Sequence, residues 1–310
     1  MVLPHDRSGL LIEGGLPTKI FSRSIDRWIE TMLADDVSED NSRDSVVKAK
    51  VMAKESGIIC GKIVINRLFE KYAPQCSYHW NIDEGDLIVI NEAVLEINGS
   101  SSEILKLERV MLNLLGRLSG ISTTTSQWVS QTNNIKIACT RKTEWGILDK
   151  WAVHVGGGLT HRLYRSDALM LKENDFASMR KIGDNHDTAI EELILNIDLN
   201  DNSEFTVVEV TNLDEALLAA KTWSKIQKKN FTTDSVVLLL DNMGPSNAKI
   251  VAEELKKQDL RKWCILEGSG GIKLDNVSEW STSSVDLIST SSVNRGVKSL
   301  DFSLIIEGVV

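Results

Sequence analysis

Several things are scarce in this 310-residue chain, and each shortage removes a class of protein. Positive charge comes first: 35 Lys and Arg face 44 Asp and Glu, giving a net charge of −9 and an isoelectric point near 5.2. A dedicated nucleic-acid binder, which gains affinity by neutralising phosphates, does not fit that balance. Long apolar runs are missing as well. Val236 to Leu240 is the longest obvious one, far short of the roughly 20 residues that cross a bilayer. Met1 to Gly15 carries no basic stretch leading into an apolar one, so no secretory signal is expected. Cys60, Cys76, Cys139 and Cys264 lie far apart with no CxxC pair, which excludes zinc-finger and disulfide-scaffold classes and suits a reduced, cytoplasmic protein. No internal repeat is present. What remains is an ordinary globular composition, 42% apolar and 25% charged, for one or two domains.

The chain changes rhythm partway along. A short helix is expected over Ser24–Leu33, then a polar, acidic loop from Asp35 to Ser45 that offers little to bury. Residues 46–98 alternate short apolar runs with turns. Val46–Lys54 reads as a strand, Gly61–Tyr72 as a helix, and Asp86–Ile97 as one or two strands around Asn91. Residues 103–118 show the clearest helix: Ser100 and Glu103 have capping-box spacing, and Ile104, Leu107, Met111, Leu114 and Leu118 form one stripe. Arg109 and Asn113 lie roughly opposite that stripe, one turn apart. The tracts Ser122–Ser126 and Ser281–Ser284 read as loops or helix entries.

From Ile135 onward, apolar runs recur at Ile135–Cys139, Ala168–Leu171, Thr206–Val210, Val236–Leu240, Trp263–Leu266 and Val285–Ile288. Helical patterns such as Asp214–Ile226 and Pro245–Lys257 separate most of them. Near-continuous runs suit strands covered on both faces, and their alternation with helices implies a parallel sheet. The number of such units points to a closed or nearly closed barrel, with a doubly wound sheet as the alternative.

In parallel barrels the site lies at the carboxyl-terminal rim of the strands. Here charged residues fall at that rim in run after run: Arg141 and Lys142 after the first, Lys172 after the second, Glu209 near the end of the third, Asp241 after the fourth, and Glu267 after the fifth. Between Lys136 and Lys172, seven Lys and Arg oppose three Asp and Glu, a local +4 within an acidic chain. Arg141, Lys142, His161, Arg162 and Lys172 would offer many donors to carboxylate or phosphate oxygens. A basic solvated face would read the same way. Gly268-Ser269-Gly270-Gly271, between a strand and an expected helix, would cradle an anion with free amides and the helix dipole. It is neither a GK[ST] loop nor a GxGxxG fingerprint. Gly156–Gly158 reads as a helix-ending turn or a close approach to a ligand. Glu209 and Asp241 would suit a magnesium–diphosphate complex, or an ion pair with a rim lysine. Trp145 and Trp151 read as packing residues.

Taken together, the motifs are similar to one known family. Thr140-Arg141-Lys142-Thr143, Gly156 through Arg162 and Leu171-Lys172-Glu173-Asn174 resemble quinolinate phosphoribosyltransferase. The likeness extends to Glu108-Arg109, Asn113, Leu118-Ser119-Gly120, Val208-Glu209-Val210, Leu240-Asp241-Asn242-Met243, Glu267–Gly271, Val285–Ser289 and Leu300-Asp301. It runs from about residue 46 to the end.

This resemblance implies an α/β fold: an incomplete TIM-like barrel over residues 123–296, with an amino-terminal α+β sandwich domain over residues 1–122, rejoined by about 297–310. It implies a homodimer with shared sites, Arg109 entering the partner's. Arg141, His161, Arg162 and Lys172 would bind the two carboxylates of quinolinate, with Lys142 between both substrates and catalytic. Glu209 and Asp241 would serve the ribose and Mg2+ of phosphoribosyl diphosphate, and Ser269, Gly270 and Gly271 its phosphate. The sequence departs from the family pattern in four places. The acidic-glycine motif expected near Asp35–Asp44 lacks its glycines, Glu144-Trp145-Gly146 lies in a shortened segment, Asp175 replaces a usual His, and Ser291–Gly296 replaces GxLTHS. A paralogue acting on another carboxylated heterocycle and a non-catalytic anion-binding protein are the alternatives.

Overall fold

Thr18 accepts a hydrogen bond from the Phe21 amide at 3.4 Å, and the helix it caps, α1 (Lys19–Asp35), extends beyond the expected Ser24–Leu33 at both ends. The structure, a computed structural model, describes residues 3–36, 44–132, 134–179, 186–198 and 204–309. Most of the acidic stretch Asp35–Ser45 lies outside them. The principal strands are β1 (Val46–Ala53), β2 (Ser77–Trp80), β3 (Ala93–Ser100), β4 (Lys136–Cys139), β5 (Leu169–Leu171), β6 (Thr206–Val210), β7 (Val236–Asp241), β8 (Cys264–Ser269), β9 (Leu287–Thr290) and β10 (Phe302–Val309). The further helices are α2 (Lys62–Tyr72), α3 (Ser101–Gln131), α4 (Ile147–Val155), α5 (Glu173–Met179), α6 (His186–Leu195), α7 (Leu213–Asn230) and α8 (Gly244–Lys257).

The chain forms two units. One holds the residues through Asp6, Trp128–Arg141 and His161–Ser292; the other holds Arg7–Gln127, Lys142–Thr160 and the residues from Val293 onward. In the second unit an antiparallel sheet runs in the order β10-β1-β3-β2. Alternate residues of β1, namely Val47, Ala49, Val51 and Ala53, are buried, as one covered face requires. Helices α1 and α2 are tied by Arg67, which donates to both oxygens of Asp26 at 2.9 and 3.1 Å. Phe21 of α1 meets Trp151 of α4, so Trp151 is a packing residue as expected.

Helix α3 begins as its sequence indicates. The Ser100 hydroxyl accepts from the Glu103 amide at 3.2 Å, and the whole expected stripe is buried. It does not stop at Leu118, however. The Ser122–Ser126 tract lies inside the helix, not in a loop, and two of its hydroxyls find carbonyl acceptors there: Ser122 donates to Ala152 and Thr123 to Ser119, both at 2.7 Å.

In the first unit six parallel strands run in the order β4-β9-β8-β7-β6-β5. Consecutive strands are neighbours and the first meets the last, Lys136–Cys139 lying beside Leu287–Thr290. That is the order of a barrel open between β4 and β5. A doubly wound sheet would reverse direction in its middle. Helices α7 and α8 extend the expected segments, α7 being capped by Asn212, whose side chain accepts from the Glu215 amide at 3.0 Å. Among the described residues no α-helix follows Gly271. A six-residue 3-10 turn, Val277–Thr282, stands there and takes in part of the Ser281–Ser284 tract, so the expected helix dipole is absent from that loop. Among the described residues no helix is long and apolar enough to cross a membrane.

Candidate active site

Aligned residues of neighbouring parallel strands point to the same face, as do residues two apart along one strand. The register sets Glu209 opposite Leu239, Leu239 opposite Glu267, and Asp241 opposite Ser269. Glu209, Asp241, Glu267 and Ser269 therefore share one face near the carboxyl-terminal ends of the strands, and Lys172 joins them from the end of β5.

Two connections bind this rim. Lys172 Nζ pairs with Glu209 Oε2 at 2.7 Å, the lysine being partly exposed and the carboxylate mostly buried. The Ser269 hydroxyl donates to Asp241 Oδ1 at 2.7 Å, and Asn242 Nδ2 donates to Asp241 Oδ2 at 2.9 Å. Asp175, the residue in place of the usual His, acts locally, its carboxylate accepting from the Lys172 amide at 2.9 Å. Gly270 has φ +87°, and an added Cβ would fall 2.1 Å from Asn242 Oδ1 and 2.8 Å from its Cα. Gly270→Ala should therefore push Asn242 off Asp241 and lower the melting temperature by several degrees, for a loss of about 1–3 kcal/mol. An unchanged thermal melt would contradict this. Gly271 has φ +63° and lies in open space.

A cationic group stands beside the acidic one. Arg162 is 9% exposed; its Nη1 donates to the carbonyls of Arg165 and Ala168 at 3.3 Å, and its Nη2 approaches Met170 Sδ at 3.1 Å. Burial, and then the charges of Arg141 and Arg165, pull its pKa below the usual guanidinium range. A guanidinium stays charged nonetheless, so Arg162 feels the repulsion of Arg141 and Arg165 against the weaker attraction of Glu267 and Asp167. Arg165 is absent from the residues the sequence singles out; a third basic residue within four positions of His161 is its only signal.

Glu267 is wholly buried. Its Oε1 lies 3.1 Å from His161 Nε2 and its Oε2 lies 3.1 Å from His5 Nε2. Burial alone would raise its pKa, but the interactions with His161 and then His5 outweigh that and hold it well below the ordinary carboxylate range. No sequence signal marks His5, a lone histidine far from every motif.

The other two predicted residues, Arg109 and Lys142, belong to the second unit. Arg109 lines a cleft of about 480 Å³ with Asn113, Arg117, Trp145 and Asp301. The Lys142 carbonyl accepts from Asn294 Nδ2 at 3.0 Å. Two segments that depart from the family pattern meet here around a buried ion pair. Arg117 holds Asp149 at 3.1 Å, contacts Glu144 at 2.7 Å and donates to the Asn294 carbonyl at 3.1 Å. Asn294 Nδ2 returns to Asp149 at 3.1 Å, and the Gly296 amide donates to Glu144 at 3.1 Å. Trp145 lies against the Arg117 guanidinium at 5.2 Å and stacks on Trp28, which makes it a packing residue as expected. Gly156–Gly158 is the helix-ending turn, closing α4 with Gly157 at φ +89°.

Comparison with known proteins gives the family. The chain matches the family model for the quinolinate phosphoribosyl transferase C-terminal domain over residues 121–305 and that for the N-terminal domain over residues 29–119. It is 36% identical over 284 residues to a probable nicotinate-nucleotide pyrophosphorylase [carboxylating] of Methanocaldococcus jannaschii, covering 87% of this chain and 90% of that protein. It is 33% identical over 273 residues to the protein of the same description from Methanothermobacter thermautotrophicus, covering 86% and 91%. The nicotinate-nucleotide pyrophosphorylase structure from Francisella tularensis superposes with a TM-score of 0.78 at 26% identity, covering 92% of this chain and 97% of that one. With both domain models matched in order along one chain, the protein belongs to the quinolinate phosphoribosyltransferase family.

Proposed function

We propose that the chain joins quinolinate to phosphoribosyl diphosphate, yielding nicotinate mononucleotide, diphosphate and carbon dioxide for NAD biosynthesis. The observation that carries this reading is Arg162, a guanidinium only 9% exposed in a chain of net charge −9, with Arg141 and Arg165 near enough for their charges to act on it. Repulsion of that kind is tolerated where an anion completes the site, and quinolinate brings two carboxylates.

Lys172 and Glu209 neutralise each other in the free chain. On this reading Lys172 turns to a carboxylate of quinolinate, while Glu209 and Asp241 receive the ribose. The pyridine nitrogen attacks the anomeric carbon as the diphosphate oxygen leaves. The ring, now cationic, accepts the electron pair of the bond to the adjacent carboxylate, carbon dioxide departs, and that carbon takes a proton. Orientation and charge stabilisation supply the catalysis, with Lys142 between the two substrates. Glu209 and Asp241 are oxygen donors on one face of adjacent strands, a set that fits magnesium, which would neutralise the leaving diphosphate. Ser269, Gly270 and Gly271 would receive the phosphate through loop amides and a hydroxyl.

The reading extends to a homodimer in which Arg109 enters the partner's site, supported by its place on an open cleft, and to a reducing cytoplasm, supported by four buried free cysteines. The test is to mix the protein with quinolinate, phosphoribosyl diphosphate and magnesium and to follow nicotinate mononucleotide by chromatography. Nicotinate, with one carboxylate, leaves buried cations unpaired and should react at least about a hundredfold more slowly. Equal turnover of the two compounds would favour the binding of another carboxylated heterocycle.

A further inference from the structure

His5 lies in a turn ahead of α1, with no side-chain exposure, yet it belongs with the barrel strands. It meets His161 edge to face at 4.9 Å, and both rings rest against Phe205. The hydrogen bonds of this group fix where its protons sit. The Arg162 amide donates to His161 Nδ1 at 2.7 Å, so that nitrogen carries no proton. A neutral ring then bears its proton on Nε2, which donates to Glu267 Oε1 at 3.1 Å. His5 Nε2 lies 3.1 Å from the other oxygen, Glu267 Oε2, and donates to it. Four residues are thereby linked in order: His5, Glu267, His161 and the backbone of Arg162.

Both nitrogens of His161 are engaged within the protein, and its backbone is held at φ +51°, a conformation that side-chain-bearing residues seldom adopt. Two histidines and a carboxylate are also a metal-ligand set, and their ligand atoms lie within 4.8 Å of one another. Ligation through His161 Nε2 would require a ring with no proton on either nitrogen, because the Arg162 amide occupies Nδ1. A hydrogen-bonded relay is the assignment consistent with these hydrogen bonds.

We infer that His5 is a positioning residue, which holds Glu267 and, through Glu267 and His161, sets Arg162 for a carboxylate of the substrate. This rests on the quinolinate reading above. Without His5, one oxygen of a buried carboxylate loses its partner and is free to turn toward another donor, such as the Arg162 side chain.

The experiment compares His5→Phe, which keeps a ring without a donor, with His5→Gln, whose amide nitrogen occupies nearly the place of Nε2. Steady-state kinetics of each folded variant should show KM for quinolinate raised about tenfold or more in His5→Phe, with KM for phosphoribosyl diphosphate unchanged, and His5→Gln within about threefold of the parent. Equal kinetics for His5→Phe and parent, or an equal loss toward both substrates, would overturn the inference. Should His5→Phe fail to fold, nitrogen-15 NMR of the parent protein still decides. It should show His161 neutral with its proton on Nε2, and a proton on Nδ1 would overturn the relay. A parent protein that neither binds nor converts quinolinate would instead overturn the functional reading and the substrate named here, while the tautomer spectrum judged the relay by itself.

Discussion

Arg162→Ala should lower kcat/KM for quinolinate by at least about thirtyfold, since removing a desolvated charged partner costs a ligand roughly 2–5 kcal/mol. The same substitution should move the melting temperature by only about 3 °C or less, in either direction. Both expectations come from the same contacts. Arg162 donates to two backbone carbonyls and is attracted by Glu267 and Asp167, which favours the folded chain, but it is buried and repelled by Arg141 and Arg165, which does not. These effects nearly offset in the free protein, and substrate carboxylates turn the repulsion into attraction. Arg162→Lys should recover little, because an ammonium cannot reproduce the planar fork. Kinetics and thermal melts on the same preparation check this pair of expectations. A variant that melts far lower yet keeps its specific activity would show that Arg162 is a structural residue.

Arg117→Ala should do the reverse and cost about 3–5 kcal/mol of stability, because it strands Asp149 in a wholly buried position. For a protein of this size that corresponds to a fall of roughly 6–15 °C in melting temperature. Asn294 and the Glu144 amide would still donate to Asp149, at 3.1 and 2.9 Å, which sets the lower end of the range. Replacing both partners together, as in Arg117→Met with Asp149→Leu, should recover much of the loss, since an apolar pair leaves no charge unpaired. The fluorescence of Trp145, stacked between Arg117 and Trp28, offers a local probe. A double variant no better than the single one would mean that the pair also organises the loops it touches.

Much of this architecture can be read from residues alone. The six apolar runs from Ile135 onward each form a strand, because continuous burial leaves little choice, and the stripe from Ile104 to Leu118 forms the buried face of α3. Less legible is whatever depends on a distant partner. The hydroxyl-rich tract after Leu118 reads as a loop or a helix entry, and its place inside α3 shows only once Ala152 is there to accept from Ser122. The glycine-rich loop after β8 invites an α-helix that Val277–Thr282 does not supply. Of the predicted site residues, those at strand ends follow from the parallel register, and the pairing of Lys172 with Glu209 is one of the two readings their types allow. His5 could not be found this way: one histidine acquires a role only when the fold brings Glu267, 262 positions along the chain, beside it.

The strand order also has a consequence for the chain as it is being made. In the barrel β5, β6, β7 and β8 can each join the strand made just before or after, but β4 pairs only with β9. Translation at about 5–20 residues per second therefore leaves Lys136–Cys139 without its neighbour for roughly 7–30 s on the ribosome. The sheet of the second unit waits longer still, because β1 is flanked on one side by β10. Until Phe302–Val309 emerges, Val46–Ala53 presents an open edge to every other nascent chain nearby. A ribosome stalled between residues 139 and 287 would display two unsatisfied strand edges at once, so that interval is where the nascent chain is most open to pairing with the wrong strand.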